Sequence, residues 1–324
     1  MKKLFAVCVF GGLNLIVLNP CIAQTFPTHP IRLVVPFPPG GALDVLGRLV
    51  AAQVEKQIGQ PVVIDNRGGA NGVIGSEIVA KSAPDGYTLM NNGAALLVAQ
   101  ILNPALPFDI ERDFTPITSI GHGTGYMLAV NASSPAKSVQ ELVAMARNAA
   151  PPISYGSAGV GNPNHLAPAL FAARAGIDAT HVPYRGTAPS INALMSGEVQ
   201  FIFSSPPAIL PQVKSGRLRI LAFTGITRSA ALPNVPTVIE AGVKGYVFDG
   251  GFVGWHAPSG TPASVIRKLQ TEVQKALQLT AIREAVEIGG YLPGGELPEE
   301  FGKFIRAQMS IFRAAVKVAN LETQ

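Results

Sequence analysis

The stretch Ile31-Arg-Leu-Val-Val-Pro-Phe-Pro-Pro-Gly-Gly-Ala-Leu-Asp44 organises the reading of this chain. Ile31 to Val35 is β-branched and apolar without a turn residue, which predicts a short buried strand. Pro36 ends it, Pro38 and Pro39 stiffen the loop, and Gly40-Gly41 permits a backbone turn that a side chain would obstruct. Leu43, Leu46, Leu49, Val50, Val54 and Ile58 then recur at helical spacing, with Gly59 as the stop. A strand that feeds a glycine turn into a helix leaves unpaired backbone N–H groups aimed outward. The helix dipole adds positive potential at the same place, so the loop suits an anion.

Working outward to the N-terminus, Lys2-Lys3, an apolar run from Leu4 to Leu18 and the small-x-small pattern Cys21-Ile22-Ala23 read as a secretory signal peptide over residues 1–23. The apolar run is shorter than the roughly 20 residues a spanning helix needs. The lipoprotein alternative would keep Cys21 as an anchor, but Leu18-Asn-Pro-Cys21 puts Asn and Pro where small residues belong. Both cysteines, Cys8 and Cys21, fall inside this segment, so the mature chain is expected to carry neither thiol nor disulfide. Removing 23 residues from 324 leaves 301, enough for two lobes, and removing Lys2 and Lys3 lowers the formal charge from +5 to +3. Charged residues are 14% of the chain and no Lys/Arg cluster occurs, which argues against a nucleic-acid partner. The expectation is a soluble exported protein, periplasmic in a Gram-negative cell.

Toward the C-terminus the β-turn-α rhythm continues. Val62-Val-Ile64 leads into the glycine-rich Asn66-Arg-Gly-Gly-Ala-Asn-Gly72 and a helix over 73–82. Tyr87-Thr-Leu-Met90 leads into Asn91-Asn-Gly93 and another helix. Gly121-His-Gly-Thr-Gly125 separates two apolar strands near the middle of the chain, as a crossing between lobes would. Past it the pattern restarts: a capping box at Ser138-Val-Gln-Glu141, a strand at Ile153-Ser-Tyr155, and a second glycine loop from Gly156 to Asn164. Strands at 181–182, 199–203 and 218–223 follow, then a return crossing near Tyr246 to Trp255 and a long helix after Thr261-Pro262. The expected fold is α/β, a type II-like clamshell. Each lobe is a mostly parallel sheet flanked by helices, with 27–123 and 246–324 in the first lobe and 124–245 in the second. The cleft between them is the expected ligand site.

Metal and catalytic signatures are missing from the sequence. His-Glu-x-x-His, Gly-x-x-x-x-Gly-Lys-Ser/Thr and Gly-x-Ser-x-Gly do not occur, and His29, His122, His165, His181 and His256 are scattered without metal spacing. No cofactor is expected. Gly156-Ser-Ala-Gly-Val-Gly161 has its glycines in the wrong order for a dinucleotide loop but matches the first loop in kind, and Ser157 can donate to a carboxylate oxygen. Two such nests, one per lobe, would grip one anion from both sides. The candidate ligand residues are therefore Phe37, Pro38, Gly40, Gly41, Asp44, Asn92, Gly156, Ser157, Gly161, Thr187 and Ser204. Asp44 either contacts a ligand amine or hydroxyl or complements the helix dipole. Arg67 pairs with a carboxylate or forms a salt bridge under its glycine loop. Thr187 is the best-placed donor of its loop and Arg185 a solvated neighbour. His165 and Trp255 fit packing roles.

These residues carry a resemblance. Pro30-Ile-Arg-Leu-Val-Val-Pro-Phe-Pro-Pro-Gly-Gly41 with Asp44, Ile64-Asp-Asn-Arg67, Pro84-Asp-Gly-Tyr-Thr-Leu89, Tyr155-Gly-Ser157 with Gly159, Gly161 and His165-Leu166, His181-Val-Pro-Tyr-Arg-Gly186, Pro233-Asn-Val-Pro-Thr237 and Ala257-Pro-Ser-Gly-Thr-Pro262 are similar, in order and spacing, to the substrate-binding receptors of tripartite tricarboxylate transporters, the Bug-type periplasmic binding proteins. The resemblance runs from Pro27 to about Asn320. It implies a non-enzymatic receptor that closes on a small organic carboxylate and delivers it to transmembrane permease subunits. It also implies that the carboxylate is pinned by Phe37 to Asp44 and by Gly156, Ser157 and Gly161, with Thr187 nearby. Two departures stand out. Phe203-Ser204-Ser205 replaces the Phe-Asp common in the family, which weakens the case for an amino-acid ligand and favours a plain or aromatic carboxylate. Gly68 stands where Pro is usual. The alternatives are the same fold reporting to a signalling partner, or an exported hydrolase with Ser157 as nucleophile and His165 as base.

Overall fold

The computed structural model describes residues 26–229, 232–246 and 248–321; the segment read as a signal peptide lies outside them. The first part of the chain runs β1 (Ile31–Val35), α1 (Ala42–Ile58), β2 (Val62–Asn66), α2 (Val73–Ala80), β3 (Thr88–Gly93), α3 (Ala94–Leu102), α4 (Ile110–Asp113) and β4 (Phe114–Gly123). The middle part runs β5 (Met127–Asn131), α5 (Val139–Arg147), β6 (Ile153–Ser157), α6 (Pro163–Ala175), β7 (Ala179–Pro183), α7 (Thr187–Ser196), β8 (Phe201–Ser204), α8 (Pro206–Lys214) and β9 (Leu218–Phe223). The last part runs β10 (Phe252–Pro258), α9 (Ala263–Leu277), α10 (Thr280–Ile288), β11 (Tyr291–Pro293) and α11 (Pro298–Val318). The long helix expected after Pro262 is thus three helices with β11 between the last two.

Two sheets define two lobes. The first, six-stranded, has the order β11-β4-β10-β3-β1-β2, and the second, five-stranded, has the order β7-β6-β8-β5-β9. The α/β two-lobed class is as expected, but the sheets are mixed rather than mostly parallel. β1 pairs in parallel with β2 and β3, and β6 with β7 and β8. In contrast, β10 is antiparallel to β3 and β4, β11 to β4, and β5 to β8 and β9. The crossings account for this. A strand that leaves a lobe and one that returns to it at the same end must run in opposite senses. Phe252 at the start of β10 accordingly faces His122 near the end of β4, and Met127 faces Phe223.

The crossings are tied together by hydrogen bonds. The Gly123 N–H donates to Gly251 O at 2.6 Å, Tyr126 N–H to Thr224 Oγ1 at 2.6 Å, and Thr224 N–H to Tyr126 O at 2.9 Å. Tyr246 still packs on Phe171 and Phe203 of the second lobe and donates to Ala167 O at 3.1 Å. α11 touches both α3 and α6, so its apolar face bridges the lobes.

Local sequence explains the elements that position the cleft. β1 lies between β2 and β3 with helices on both faces, so Ile31, Leu33, Val34 and Val35 are fully buried. α1 buries Leu46, Val50, Ala51 and Val54 along one stripe and ends at Gly59, whose φ of 69° closes the helix onto Glu55 O. Ser138 caps α5 as expected, accepting from Glu141 N–H at 3.1 Å. Trp255 is fully buried in the core behind β10, not in the cleft.

Candidate functional site

The cleft holds two cavities that share a wall. The inner one encloses about 80 Å³ and is lined by residues from both lobes, among them Gly41, Ala42 and Leu43, Gly93, Ala94 and Ala95, Gly186 and Thr187, and Ser204 and Ser205. The outer one, about 890 Å³, lies between the glycine-rich segments 68–73 and 158–161. Phe37, Pro38 and Gly186 line both. The Pro38 ring meets Gly186 so closely that a Cβ there would stand 3.2 Å from Pro38 Cγ. The wall is therefore made by opposite lobes in contact.

Five helix N-termini point at the inner cavity, and the sequence treats them differently. α1, α3 and α7 each have a glycine N-cap (Gly41, Gly93 and Gly186) and no side-chain cap. Their first-turn N–H groups have no intrahelical acceptor and carry the positive end of each helix dipole. α6 is capped by Asn162, whose side chain accepts from Asn164 N–H at 3.2 Å. α8 starts with Pro206 and Pro207, which have no N–H to offer, so its contribution is dipole plus the hydroxyls of Ser204 and Ser205. Ser204 is 2% exposed and its hydroxyl has no partner among the described residues. Tyr126 and Tyr291 also line the cavity, and neither phenol is hydrogen-bonded to another described residue. Burial raises both phenol pKa values, so both remain protonated donors. Among the described residues, no Arg or Lys lines this cavity. Anion affinity here rests on helix ends and hydroxyls.

Asp44 holds the first loop in shape. Its Oδ2 accepts from Gly40 N–H at 3.1 Å, and its Oδ1 from Arg48 Nε and Asn66 Nδ2, each at 3.0 Å. Asn66 Nδ2 also donates to Phe37 O at 3.0 Å. Burial opposes the carboxylate charge, but hydrogen bonds from Arg48, Asn66 and Gly40 outweigh it and hold the pKa below its ordinary value. Arg67 is engaged with Asp65 at 2.9 Å, and Asp65 also pairs with Arg32. Gly68 lies against the Pro38 ring, where a Cβ would be 3.1 Å from Cδ.

Of the expected ligand residues, Phe37, Pro38, Gly41, Asp44, Thr187 and Ser204 come together around the inner cavity, and Gly161 lines the outer one. Gly40, Asn92, Gly156 and Ser157 line neither. Asn92 Oδ1 accepts from Gly93 N–H at 2.7 Å and so shapes the α3 start from behind. Gly156 faces α7, where a Cβ would meet Ser190 Oγ at 2.8 Å. In the loop read from the sequence as a second anion nest, three N–H groups are engaged within the loop and its helix: Ala158 N–H on Asn164, Gly159 N–H on Ser157, and Gly161 N–H on His165 Nδ1. The Ser157 hydroxyl is fully buried, 2.6 Å from His181 Nε2 and 3.1 Å from Gly159 O. His165 stacks on His181 at 3.7 Å rather than facing Ser157, which also removes the hydrolase pair.

Sequence reasoning missed Gly93–Ala95, Gly186, Ser205, Tyr126, Tyr291 and the cap residue Asn162. Two signals were present: Asn162-Pro163 and Ser205-Pro206 each place a capping residue before a first-turn proline. The tyrosines had no local signal.

Two α/β lobes closing on a cavity of helix ends, hydroxyls and bare backbone define a solute-binding receptor. Residues 46–321 match the family model described as the tripartite tricarboxylate transporter family receptor. The chain belongs to that family and is a receptor, not an enzyme. It is 34% identical over 319 residues to Protein BugT of Bordetella pertussis, covering 98% of this chain and 97% of BugT. Among solved structures it is similar to R. palustris Rpa4515 with adipate (TM-score 0.86, 33% identity, 91% of this chain and 98% of that one). It is also similar to MatC from Rhodopseudomonas palustris with bound malate (TM-score 0.82, 28% identity, 90% and 100%).

Proposed function

We propose that this protein is a periplasmic receptor that binds a small organic carboxylate between its lobes and delivers it to the membrane permease subunits of a tripartite transporter. Residues 1–23 act as its export signal in this reading. The observation that carries it is the convergence of three glycine-capped, otherwise uncapped helix N-termini on one cavity lined by no basic side chain among the described residues. Family membership and relatives solved with adipate and malate support the ligand class. The first lobe is taken as the chain before Thr124 and after the return past Phe248, and the second as the chain between. The anion meets donors from α1 and α3 on one lobe and from α7 on the other only when the lobes are together, so binding shifts the population toward closure. The unpartnered Ser204 hydroxyl gains an acceptor at the same time.

The test uses Gly41. Its φ of −83° and ψ of 170° suit any residue, and a Cβ there meets only Thr187 Oγ1, at 3.8 Å. In Gly41→Asp, the new carboxylate caps α1 and occupies the place of the ligand anion. Refolded wild type is expected to melt higher with one or more small carboxylates. The variant is expected to melt higher than wild type without ligand and to show no further rise with it. No rise for wild type with any carboxylate, the protein being folded, would overturn the reading.

A further inference from the structure

The buried half of α11 is spent on the protein itself. Phe301, Ile305, Met309, Phe312 and Val316 pack in the core cluster that spans both lobes, and Phe304 packs against its edge. Gln308 Nε2 donates to Asp249 Oδ2 of the return crossing at 3.2 Å. The outer half is exposed and carries two rows. Lys303, Arg306, Arg313 and Lys317 fall on one line, and Ala307, Ile311, Ala314 and Val318 on the line beside it, since residues three, four and seven apart share a helix face. Ile311 and Val318 are 53% and 43% exposed. None of the four cations makes an ion pair or a side-chain hydrogen bond with another described residue, and no acid occurs from Phe301 to Leu321.

Other solvated helix faces of this protein are built differently. On α9 and α10, Lys268 and Lys275 pair with Glu272, and Arg283 with Glu287. On α11, Lys303 with Arg306 and Arg313 with Lys317 are like charges at helical contact spacing, which opposes helix formation. The helix dipole favours only Lys317, in the last turn. Four unpaired charges therefore stand in one row on a chain whose formal charge without Lys2 and Lys3 is +3.

We propose that the outer face of α11 is the docking surface for an acidic, partly apolar face of a protein partner, which in the transport reading belongs to the permease subunits. The partner's identity rests on that reading; its chemistry rests on the helix. Carboxylates opposite the basic row relieve its self-repulsion and fix the register of docking. Ala307 and Ala314 admit a close approach, and Ile311 and Val318 are the anchors for a groove. A second copy fits poorly, because a two-fold axis through this face sets Lys303 and Arg306 against Arg313 and Lys317. A lipid surface fits poorly as well, because the three phenylalanines of α11 are packed inward and only two bulky apolar side chains remain to enter it.

The experiment measures binding of the purified protein to the permease subunits held in phosphatidylcholine discs, with empty phosphatidylglycerol discs as the lipid control. Wild type, the double variant Arg306→Glu with Arg313→Glu, and Ile311→Asp are compared. These positions line neither cavity, so all three proteins should keep the rise in melting temperature with carboxylates. Wild type should bind the permease discs, and more weakly at high salt. The double variant should lose about tenfold or more in affinity, and Ile311→Asp about fivefold. Undiminished binding by the double variant, or no binding by wild type that still melts higher with a carboxylate, would overturn the docking surface and leave the receptor reading standing. Equal binding to empty discs would assign the face to lipid, and a wild-type dimer that Ile311→Asp dissolves would assign it to a second copy; either overturns the proposal. Absence of the carboxylate rise in wild type would overturn the receptor reading, and the partner named here with it.

Discussion

The side-chain amide of Asn162 donates a hydrogen bond to Asn71 Oδ1 at 3.2 Å, and this bond joins the two lobes beside the outer cavity. Asn71 makes the contact from a left-handed backbone, φ 53°, and its Nδ2 is buried without a partner. Asn71→Gly relieves the backbone and deletes the orphan donor together with the bond. Thermal stability should therefore change little. The closed form loses about 0.5–1.5 kcal/mol of support. Affinity should fall about two- to tenfold, and small-angle scattering of the ligand-free protein should show a larger radius of gyration. An unchanged radius and affinity would mean the bond does not bias closure.

Two serines that look alike in the sequence have opposite surroundings. Ser157 is bonded to His181 and to its own loop, whereas Ser204 lines the inner cavity with no partner. Ser157→Ala should cost about 1–3 kcal/mol of stability, read in urea, because it strands Gly159 N–H and the His181 ring. Ser204→Ala should leave the ligand-free protein as stable as before or slightly more so, and weaken carboxylate binding. The reverse pattern would place Ser157 at the ligand.

How far the sequence could be read follows from where the causes lie. The β1–α1 unit was legible because strand, glycine turn and helical stripe are all local, and Gly41, Thr187 and Ser204 belong to such turns. The sense of β10 was not, since it depends on which end of the first lobe the chain returns to. The surroundings of Ser157 were hidden for a related reason. A glycine–serine loop shows that donors exist, but Asn164 and His165, only a few residues further on, consume them. Tyr291 joins the cavity from the far end of the chain, through a strand of three residues with no periodicity to detect.

Gly186 is expected to tolerate a side chain poorly. Its φ is 123°, which side chains rarely adopt, and a Cβ would press on the Pro38 ring at 3.2 Å. Gly186→Ala should hold the wall apart and tilt the uncapped start of α7 away from the inner cavity. Carboxylate affinity should drop at least about tenfold, which corresponds to about 1.4 kcal/mol. Gly41→Ala, with ordinary φ and only a 3.8 Å contact, serves as the comparison and should bind within a fewfold of wild type. Similar losses in both would deny Gly186 its special place.

Acid sensitivity should come first from the stacked histidines under the second loop. Burial, with His181 adding to it, lowers the His165 pKa to about 3, and burial lowers His181 to about 4. In the unfolded chain both titrate near 6.5. Between those limits the unfolded state binds more protons, so their contribution is complete above about pH 6.5 and is lost as the pH falls toward 4. The buried carboxylates Asp44 and Glu296 are also held below their ordinary values of 3.8 and 4.5, so they act in a lower window. His256, lowered to about 4 by burial, shares the histidine window. His181→Gln keeps a polar partner for Ser157 and removes one titrating ring. Urea midpoints measured from pH 7.5 to 5 should fall for wild type and fall less steeply for the variant. Protonating His165 in the folded protein turns its Nδ1 from acceptor to donor against Gly161 N–H, so the loop lining the outer cavity should lose amide-exchange protection only as the pH falls toward about 3. Identical slopes for wild type and His181→Gln would assign the acid limb to other groups.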